Sequence, residues 1–140
     1  MFKLKLCYDS GKGTRIMAKL FVYGTLKQGF HAHFLLKKAP AALYGEIRTR
    51  PEYHLYDVGS FPGLILDVAN QGGVTGELYE VPQSAFKDLD RYECVGTGLF
   101  KREIIELEDG TKAYAYLFNS DLENASKVES GRWDIKENES

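Results

Sequence analysis

Turn-forming residues divide this chain into short segments, and their spacing constrains the fold more than any other feature of the sequence. The stretches "GSFPG" at 59–63 and "NQGG" at 70–73 have the glycine and proline content of tight turns. Asp109-Gly110 is a strong hairpin signal, because glycine adopts a positive φ without steric cost. The stretches between such turns predict short strands at about 19–23, 41–48, 54–58, 64–68, 74–81, 100–107 and 112–119.

Two helices are predicted between these strands. The first runs from about 31 to 38 and ends before Pro40, since a proline disfavours helical backbone in the residue before it. The second, "PQSAFKDLDRYE" at 82–93, begins with a proline, whose missing N–H would be unpaired in the first helical turn in any case. After Asp121 the pattern weakens to a short turn or helix before "SGRWD" at 130–134.

Short strands with two helices predict an α+β fold, a small closed or nearly closed antiparallel β-barrel with flanking short helices. Closure is favoured because it leaves no unpaired strand edges. The chain has 140 residues, of which 44% are hydrophobic, and this is enough for one domain with its own core. We place that domain at 19–134, interpret 1–18 as an extension or a first strand, and expect 135–140 to be a disordered tail.

Charge and composition argue against several classes of protein. Eighteen basic and twenty acidic residues give a net charge of -2, which argues against a nucleic-acid partner because such binding needs a clustered basic face. No stretch approaches the roughly 20 apolar residues of a membrane span, and the N-terminus lacks the features of a signal peptide. Cys7 and Cys94 have neither metal-site nor disulfide spacing. These features predict a cytoplasmic protein.

The helix at 82–93 carries a candidate catalytic carboxylate. Phe86, Leu89 and Glu93 lie on one helical face, at i, i+3 and i+7, and this face should point toward the core. A carboxylate in that position would have a raised pKa and would suit proton transfer. The alternative is that the helix ends at Tyr92 and that Glu93 turns to solvent. Asp90 lies near the same face, and we predict a structural role for it.

The sequence "YGTL" at 23–26, called the YGTL turn below, is a candidate binding loop. It follows a strand and exposes successive backbone N–H groups with little side chain in the way. Such a loop can hold an anion such as a carboxylate. The spacing of a nucleotide-binding P-loop is absent. The alternative is an ordinary turn.

The remaining histidine, cysteine and aromatic residues are weaker candidates for a functional site. His31 and His33 have no third metal ligand near them in sequence, which favours a surface or helix-start role over zinc binding. Cys94 would need a histidine from elsewhere to act as a nucleophile, so a small, partly buried residue is favoured there. Late aromatic residues are predicted to pack in the core or at its rim, and the alternative is that they line a pocket: Tyr114, Tyr116 and Trp133.

Seven short motifs occur in order along the chain: "YGTL", "FPG", "GELYEV", "LDRYE", "LFKR", "YAYLF" and "SGRW". Gly29 and His33 follow the first, and the fourth ends at Glu93. Together they resemble the γ-glutamylcyclotransferase-like superfamily, which also contains γ-glutamylamine cyclotransferases and plant AIG2-like proteins. The resemblance covers about residues 19–134.

The resemblance implies a small β-barrel with a cavity, and an enzyme that releases 5-oxoproline from a small γ-glutamyl compound. Glu93 corresponds to the family's catalytic glutamate. The γ-glutamyl group would be held by the backbone of four residues, Tyr23, Gly24, Thr25 and Leu26. The α-amine of the substrate attacks its own γ-carbonyl, so no metal or organic cofactor is implied.

Three positions depart from the family pattern. Ala32 stands where many relatives carry asparagine, Cys94 where glycine is common, and Phe100 where tyrosine is common.

The main alternative function is a non-catalytic module that binds a small metabolite on the same barrel, since a fold does not guarantee an activity. A cysteine-dependent hydrolase using Cys94 is a third possibility. The leaving amine and the oligomeric state are left open by the sequence.

Overall fold

The computed structural model describes residues 5–9 and 13–134, with side chains from Ile16 onward. The predicted disordered tail at 135–140 lies outside the described residues. The strands are β1 (Lys5–Asp9), β2 (Gly13–Val22), β3 (Ala42–Arg48), β4 (Tyr53–Asp57), β5 (Pro62–Leu66), β6 (Thr75–Pro82), β7 (Phe100–Glu106), β8 (Lys112–Phe118) and β9 (Ser126–Lys127). The region predicted as an extension or first strand thus contains β1 and the beginning of β2.

The two predicted helices form at the expected places. The first is a 3₁₀ turn at His31–His33 that continues into α1 (Phe34–Lys38). The second is a 3₁₀ turn at Gln83–Ala85 that continues into α2 (Phe86–Tyr92). No helix in the described part of the chain is long and apolar enough to cross a membrane.

The strands form one curled sheet in the order β3-β6-β2-β8-β5-β4-β9, with β1 paired to β2 and β7 paired to β8. A bridge between Thr49 and Leu107 links the ends of β3 and β7. The strands β3, β6, β2, β8 and β7 therefore form a nearly closed ring. The predicted α+β fold, with a barrel-like sheet and short flanking helices, is confirmed.

One feature of that prediction needs correction, because the sheet is mixed rather than purely antiparallel. β8 pairs in parallel with β2 at Leu20 and Tyr114, and in parallel with β5 at Leu64 and Leu117. Turn residues determine how consecutive strands pair, but these partners are far apart in sequence. Their direction is set by packing of the whole sheet, which the turn pattern does not encode.

The sheet separates two buried clusters, and β2 contributes to both. Leu20 and Phe21 are fully buried on opposite sides of this strand, because successive side chains of a strand point to opposite faces. Phe86 and Leu89 pack with Leu20, as the helix periodicity predicts. The predicted packing roles are confirmed for Tyr116, Trp133 and Tyr114, of which the first two are buried and the third is partly buried. Both clusters contribute to the lining of a cavity, with Val22 and Tyr116 from the first and Phe21 and Tyr23 from the second.

Candidate active site

A cavity of about 260 Å³ opens where the end of β2 meets the end of α2. The YGTL turn and Glu93 both line it, although they are separated by nearly seventy residues in sequence. Phe61 in the β4–β5 turn and Pro62 at the start of β5 add to the wall, and His31 also contributes. The structure therefore brings together the two features that the sequence marks as a candidate site.

The position of the YGTL turn depends on a glycine. A Cβ atom at Gly24 would lie 2.3 Å from Cγ of Pro62, far inside van der Waals contact. Only a residue without a side chain lets the β4–β5 turn approach the YGTL turn this closely. The glycine thereby allows two separate turns to form one continuous wall of the cavity.

Backbone donors of the YGTL turn are available to a ligand. The carbonyl groups of Gly24 and Thr25 accept hydrogen bonds from the N–H groups of Lys27 (3.0 Å) and Ala32 (3.1 Å). Within the described residues, the N–H groups of Gly24, Thr25 and Leu26 donate to no protein acceptor. Successive N–H groups without protein partners are suited to binding an anionic group.

The hydroxyl group of Tyr23 is used within the protein. It donates to the carbonyl of Tyr116 (2.6 Å) and accepts from the N–H of Leu64 (3.1 Å). It thus joins the end of β2 to β8 and β5. Tyr23 can serve a ligand through its backbone, while its side chain holds the strands that surround the cavity.

Two histidines follow the YGTL turn. Nδ1 of His33 lies 2.9 Å from the carbonyl of Leu26, so this ring secures the end of the turn. His31 is exposed and lies at the cavity wall. The described residues contain no group of three or more histidine, cysteine or acidic side chains that could hold a metal ion. The predicted helix-start role fits both histidines, but no sequence pattern indicates that His31 lines the cavity.

Glu93 is the residue that follows α2, and its N–H bonds to the carbonyl of Leu89 (3.0 Å). The helix does end at Tyr92, as one alternative held, but Glu93 lines the cavity instead of turning to open solvent. Burial raises the pKa of its carboxyl group to about 7. In the described part of the chain, no basic side chain forms an ion pair with it. A carboxyl group that titrates near neutrality can both accept and donate a proton in the same turnover.

Asp90 lies one helical turn before Glu93 and has its own partners. Its two oxygens accept from Nε (2.9 Å) and Nη2 (3.2 Å) of Arg102. The hydroxyl group of Tyr116 also donates to Asp90, at 2.6 Å. The guanidinium group of Arg102 stacks on the ring of Phe86, 4.1 Å from its centroid. These contacts support the predicted structural role, because the carboxylate already has three donors.

We expect Asp90→Asn to lower stability more than activity. Asparagine keeps one acceptor oxygen but leaves the partly buried Arg102 without its charge partner, which should cost about 1–3 kcal/mol. The kcat per folded molecule should change by only a few-fold. Denaturant titration and turnover, measured on the same sample, would separate the two effects. The exposed Asp88 in the same helix supplies a control, Asp88→Asn, which should alter neither. Complete loss of turnover in a fully folded Asp90→Asn protein would make Asp90 catalytic.

The predicted environment of Cys94 is wrong. Its side chain is exposed and does not line the cavity. The residue has a left-handed backbone, with a φ of 56°, because the chain reverses immediately after α2. Glycine adopts this conformation without cost, which accounts for the glycine expected here from the family resemblance. The thiol nucleophile is not favoured by this geometry.

Phe100 makes the cavity wall apolar at a position where the family resemblance leads us to expect tyrosine. It is buried and packs against Phe61 and Phe118, with ring centroids 6.1 Å and 5.5 Å away. Phe61 belongs to the "FPG" motif, whose proline and glycine indicate a turn but not a cavity wall. Its contribution to the cavity depends on the Gly24 contact, which sequence spacing does not show.

Comparisons with known proteins agree on one family. The family model described as "Gamma-glutamyl cyclotransferase, AIG2-like" matches residues 20–135. A Vibrio cholerae protein named "Putative gamma-glutamylcyclotransferase" is 38% identical over 114 residues, covering 81% of this chain and 93% of that protein. The "Gamma-L-glutamyl-butirosin B gamma-glutamyl cyclotransferase" of Niallia circulans is 36% identical over 124 residues, covering 79% and 72%.

Solved structures show the same fold. A protein specific to uropathogenic E. coli superposes with a TM-score of 0.75 at 25% identity, covering 84% of this chain and 92% of that one. An AIG2-like protein from Mus musculus superposes with a TM-score of 0.66 at 26% identity, covering 87% and 98%. The curled sheet and its helices are therefore shared with these proteins along nearly their whole length.

Proposed function

Since the chain belongs to the γ-glutamyl cyclotransferase, AIG2-like family, we propose that it converts a γ-glutamyl amine or γ-glutamyl amino acid to 5-oxoproline and a free amine. The observation that carries this proposal is the cavity that joins unpaired backbone N–H groups to a carboxyl group with a pKa of about 7. The N–H groups suit the α-carboxylate of a glutamyl unit. The carboxyl group suits the proton transfers that cyclisation requires.

The proposed reaction is an intramolecular acyl transfer. Glu93 takes a proton from the α-ammonium group of the substrate, and the freed amine attacks the γ-carbonyl carbon. The lactam C–N bond forms and the original amide C–N bond breaks, while Glu93 returns its proton to the departing nitrogen. The second proton lost by the attacking nitrogen also passes to the departing amine, which leaves as an ammonium ion. The nucleophile and electrophile share one molecule, so a correctly folded substrate gains an effective molarity of about 10⁵–10⁸ M.

The roles proposed for the YGTL turn follow from its open donors. The N–H groups of Gly24, Thr25 and Leu26 would hold the α-carboxylate, and Tyr23 would contribute through its backbone. This contact fixes one end of the glutamyl chain, so that the chain folds back toward Glu93. Phe61 and Phe100 give the cavity an apolar wall beside the proposed position of the substrate.

A panel of γ-glutamyl compounds tests the proposal. Purified protein is incubated with γ-glutamyl amino acids, γ-glutamyl-ε-lysine, γ-glutamyl polyamines and γ-glutamyl aminoglycosides, and 5-oxoproline is measured by chromatography. Release of 5-oxoproline from at least one class supports a cyclotransferase. Binding of several members without any release would favour the non-catalytic binding module instead.

The pH dependence of the reaction follows from the Glu93 pKa. A general base must start without its proton, so kcat/KM should fall about tenfold per pH unit below a pKa near 7 and level off above it. The measurement is kcat/KM between pH 5 and pH 8 at constant ionic strength, on whichever substrate the panel identifies. An acidic limb near the ordinary glutamate pKa of 4.5 would contradict the buried-base assignment.

A further inference from the structure

A hydrogen bond connects the two halves of the candidate site. The hydroxyl group of Tyr92 lies 2.7 Å from Oγ1 of Thr25. Tyr92 is the last residue of α2 and directly precedes Glu93, whereas Thr25 lies in the middle of the YGTL turn. Both residues line the cavity. The contact therefore joins the element that carries the carboxyl group to the element that carries the open N–H groups.

Tyr92 also reaches the segment that follows the turn. Its hydroxyl group lies 3.3 Å from Nε2 of His31, and the two rings meet edge-on at a centroid distance of 6.4 Å. The N–H of Ala32, next to His31, bonds back to the carbonyl of Thr25 at 3.1 Å. The loop from Thr25 to His31 is thus held at both ends, and Tyr92 contacts each end.

We propose that Tyr92 is a positioning residue that sets the distance between the YGTL turn and Glu93. This inference rests on the proposed function. The turn and the carboxyl group come from different elements, and β-sheet pairing does not fix how far apart they lie. Reactions of this kind are sensitive to such distances, since a displacement of about 1 Å can cost about 10²-fold in rate.

The chemistry of both side chains fits this role. The hydroxyl groups of tyrosine and threonine can each donate and accept, so their bond forms without a charge. Phenylalanine would keep the ring packing of Tyr92 while losing this bond. Serine at position 25 would keep the hydroxyl group, whereas valine would keep only the shape.

The test compares five variants with the wild type: Tyr92→Phe, Thr25→Val, Thr25→Ser, the double variant Tyr92→Phe/Thr25→Val, and a control, Tyr56→Phe. Tyr56 lies on β4 and does not line the cavity. The measurements are kcat, the Kd for the product 5-oxoproline, and the melting temperature. The Kd reports the turn alone, whereas kcat depends on where the turn lies relative to Glu93.

We expect kcat to fall about tenfold in Tyr92→Phe, with Kd within about twofold of the wild type. Thr25→Val should show a similar or smaller loss, because it keeps the contact between Tyr92 and His31. Thr25→Ser should restore kcat, and the double variant should lose no more than Tyr92→Phe alone. The control should match the wild type in all three measurements. Such non-additivity identifies one shared interaction.

Three results would overturn the inference. One is a kcat in Tyr92→Phe within twofold of the wild type. Another is a rise in Kd without a fall in kcat, which would limit Tyr92 to supporting the turn. The third is an additive loss that parallels a lower melting temperature, which would indicate a general structural role. In each case wild-type release of 5-oxoproline leaves the proposed function intact. A wild type that neither binds 5-oxoproline nor turns over any panel member overturns both.

Discussion

Glu93→Gln should reduce 5-oxoproline release by about 10²–10⁴-fold, toward the upper end of the usual contribution of general acid–base catalysis. Glutamine has nearly the same shape as glutamate, so the end of α2 and the cavity wall should keep their form. It cannot accept the proton of the α-ammonium group. The neighbouring Asp90 cannot replace it, because Arg102 and Tyr116 already occupy its oxygens.

The same substitution should leave the protein at least as stable as the wild type, and the effect should depend on pH. The folded-state pKa of Glu93 is raised to about 7 from an ordinary value of 4.5. Between these two values the folded protein retains a proton that the unfolded chain has lost, so this group lowers stability as pH rises through that window. Above pH 7 the cost reaches up to about 3 kcal/mol. Glutamine avoids it.

Three measurements together decide the role of Glu93. Turnover is measured on the panel substrate, 5-oxoproline binding by calorimetry, and denaturant stability at pH 5 and pH 8. We expect lost turnover, retained binding, and a stability gain that is larger at pH 8. The exposed Asp88 again provides a matched control, since Asp88→Asn removes an acidic group from the same helix without touching the cavity. Near wild-type turnover in Glu93→Gln would remove Glu93 from the mechanism and favour the binding module.

Local chemistry made much of the fold predictable from sequence. Turn residues mark most strand boundaries to within about two residues, because glycine and proline act on their immediate neighbours. The periodicity of α2 likewise predicts the buried face of Phe86 and Leu89. The strand predicted at 64–68 instead begins at Pro62, since proline can start a strand without donating to its ladder.

Features that depend on distant residues were not predictable in this way. The parallel pairing of β8 with β2 and β5 joins segments far apart in sequence. The exposure of Cys94 follows from a left-handed residue at a chain reversal, which a helix pattern does not show. Thr25 belongs to the "YGTL" motif and Tyr92 to the "LDRYE" motif, but neither motif indicates that the hydroxyl groups of these two residues form a hydrogen bond. The candidate site thus has a recognisable composition but a geometry that only the folded chain defines.

Gly24→Ala should be the most damaging small substitution at the site. The added methyl group would lie 2.3 Å from Cγ of Pro62 and 3.4 Å from its Cδ. A proline ring cannot rotate away, so one of the two turns must move. Overpacking of this kind typically costs about 1–3 kcal/mol. Because the displaced turn is the one proposed to hold the α-carboxylate, we expect kcat/KM to fall by about 10²-fold in the protein that still folds.

A control and a rescue separate steric displacement from general damage. Gly96 has open space around its Cα and no positive φ, so Gly96→Ala adds the same methyl group without a clash and should alter neither stability nor turnover. Pro62→Ala removes the atom that Gly24→Ala would strike. The double variant Gly24→Ala/Pro62→Ala should therefore recover part of the stability and of kcat/KM lost in the single variant. If Gly24→Ala instead keeps wild-type activity and binding, the YGTL turn tolerates the displacement, and the close packing of the two turns is not what positions the substrate.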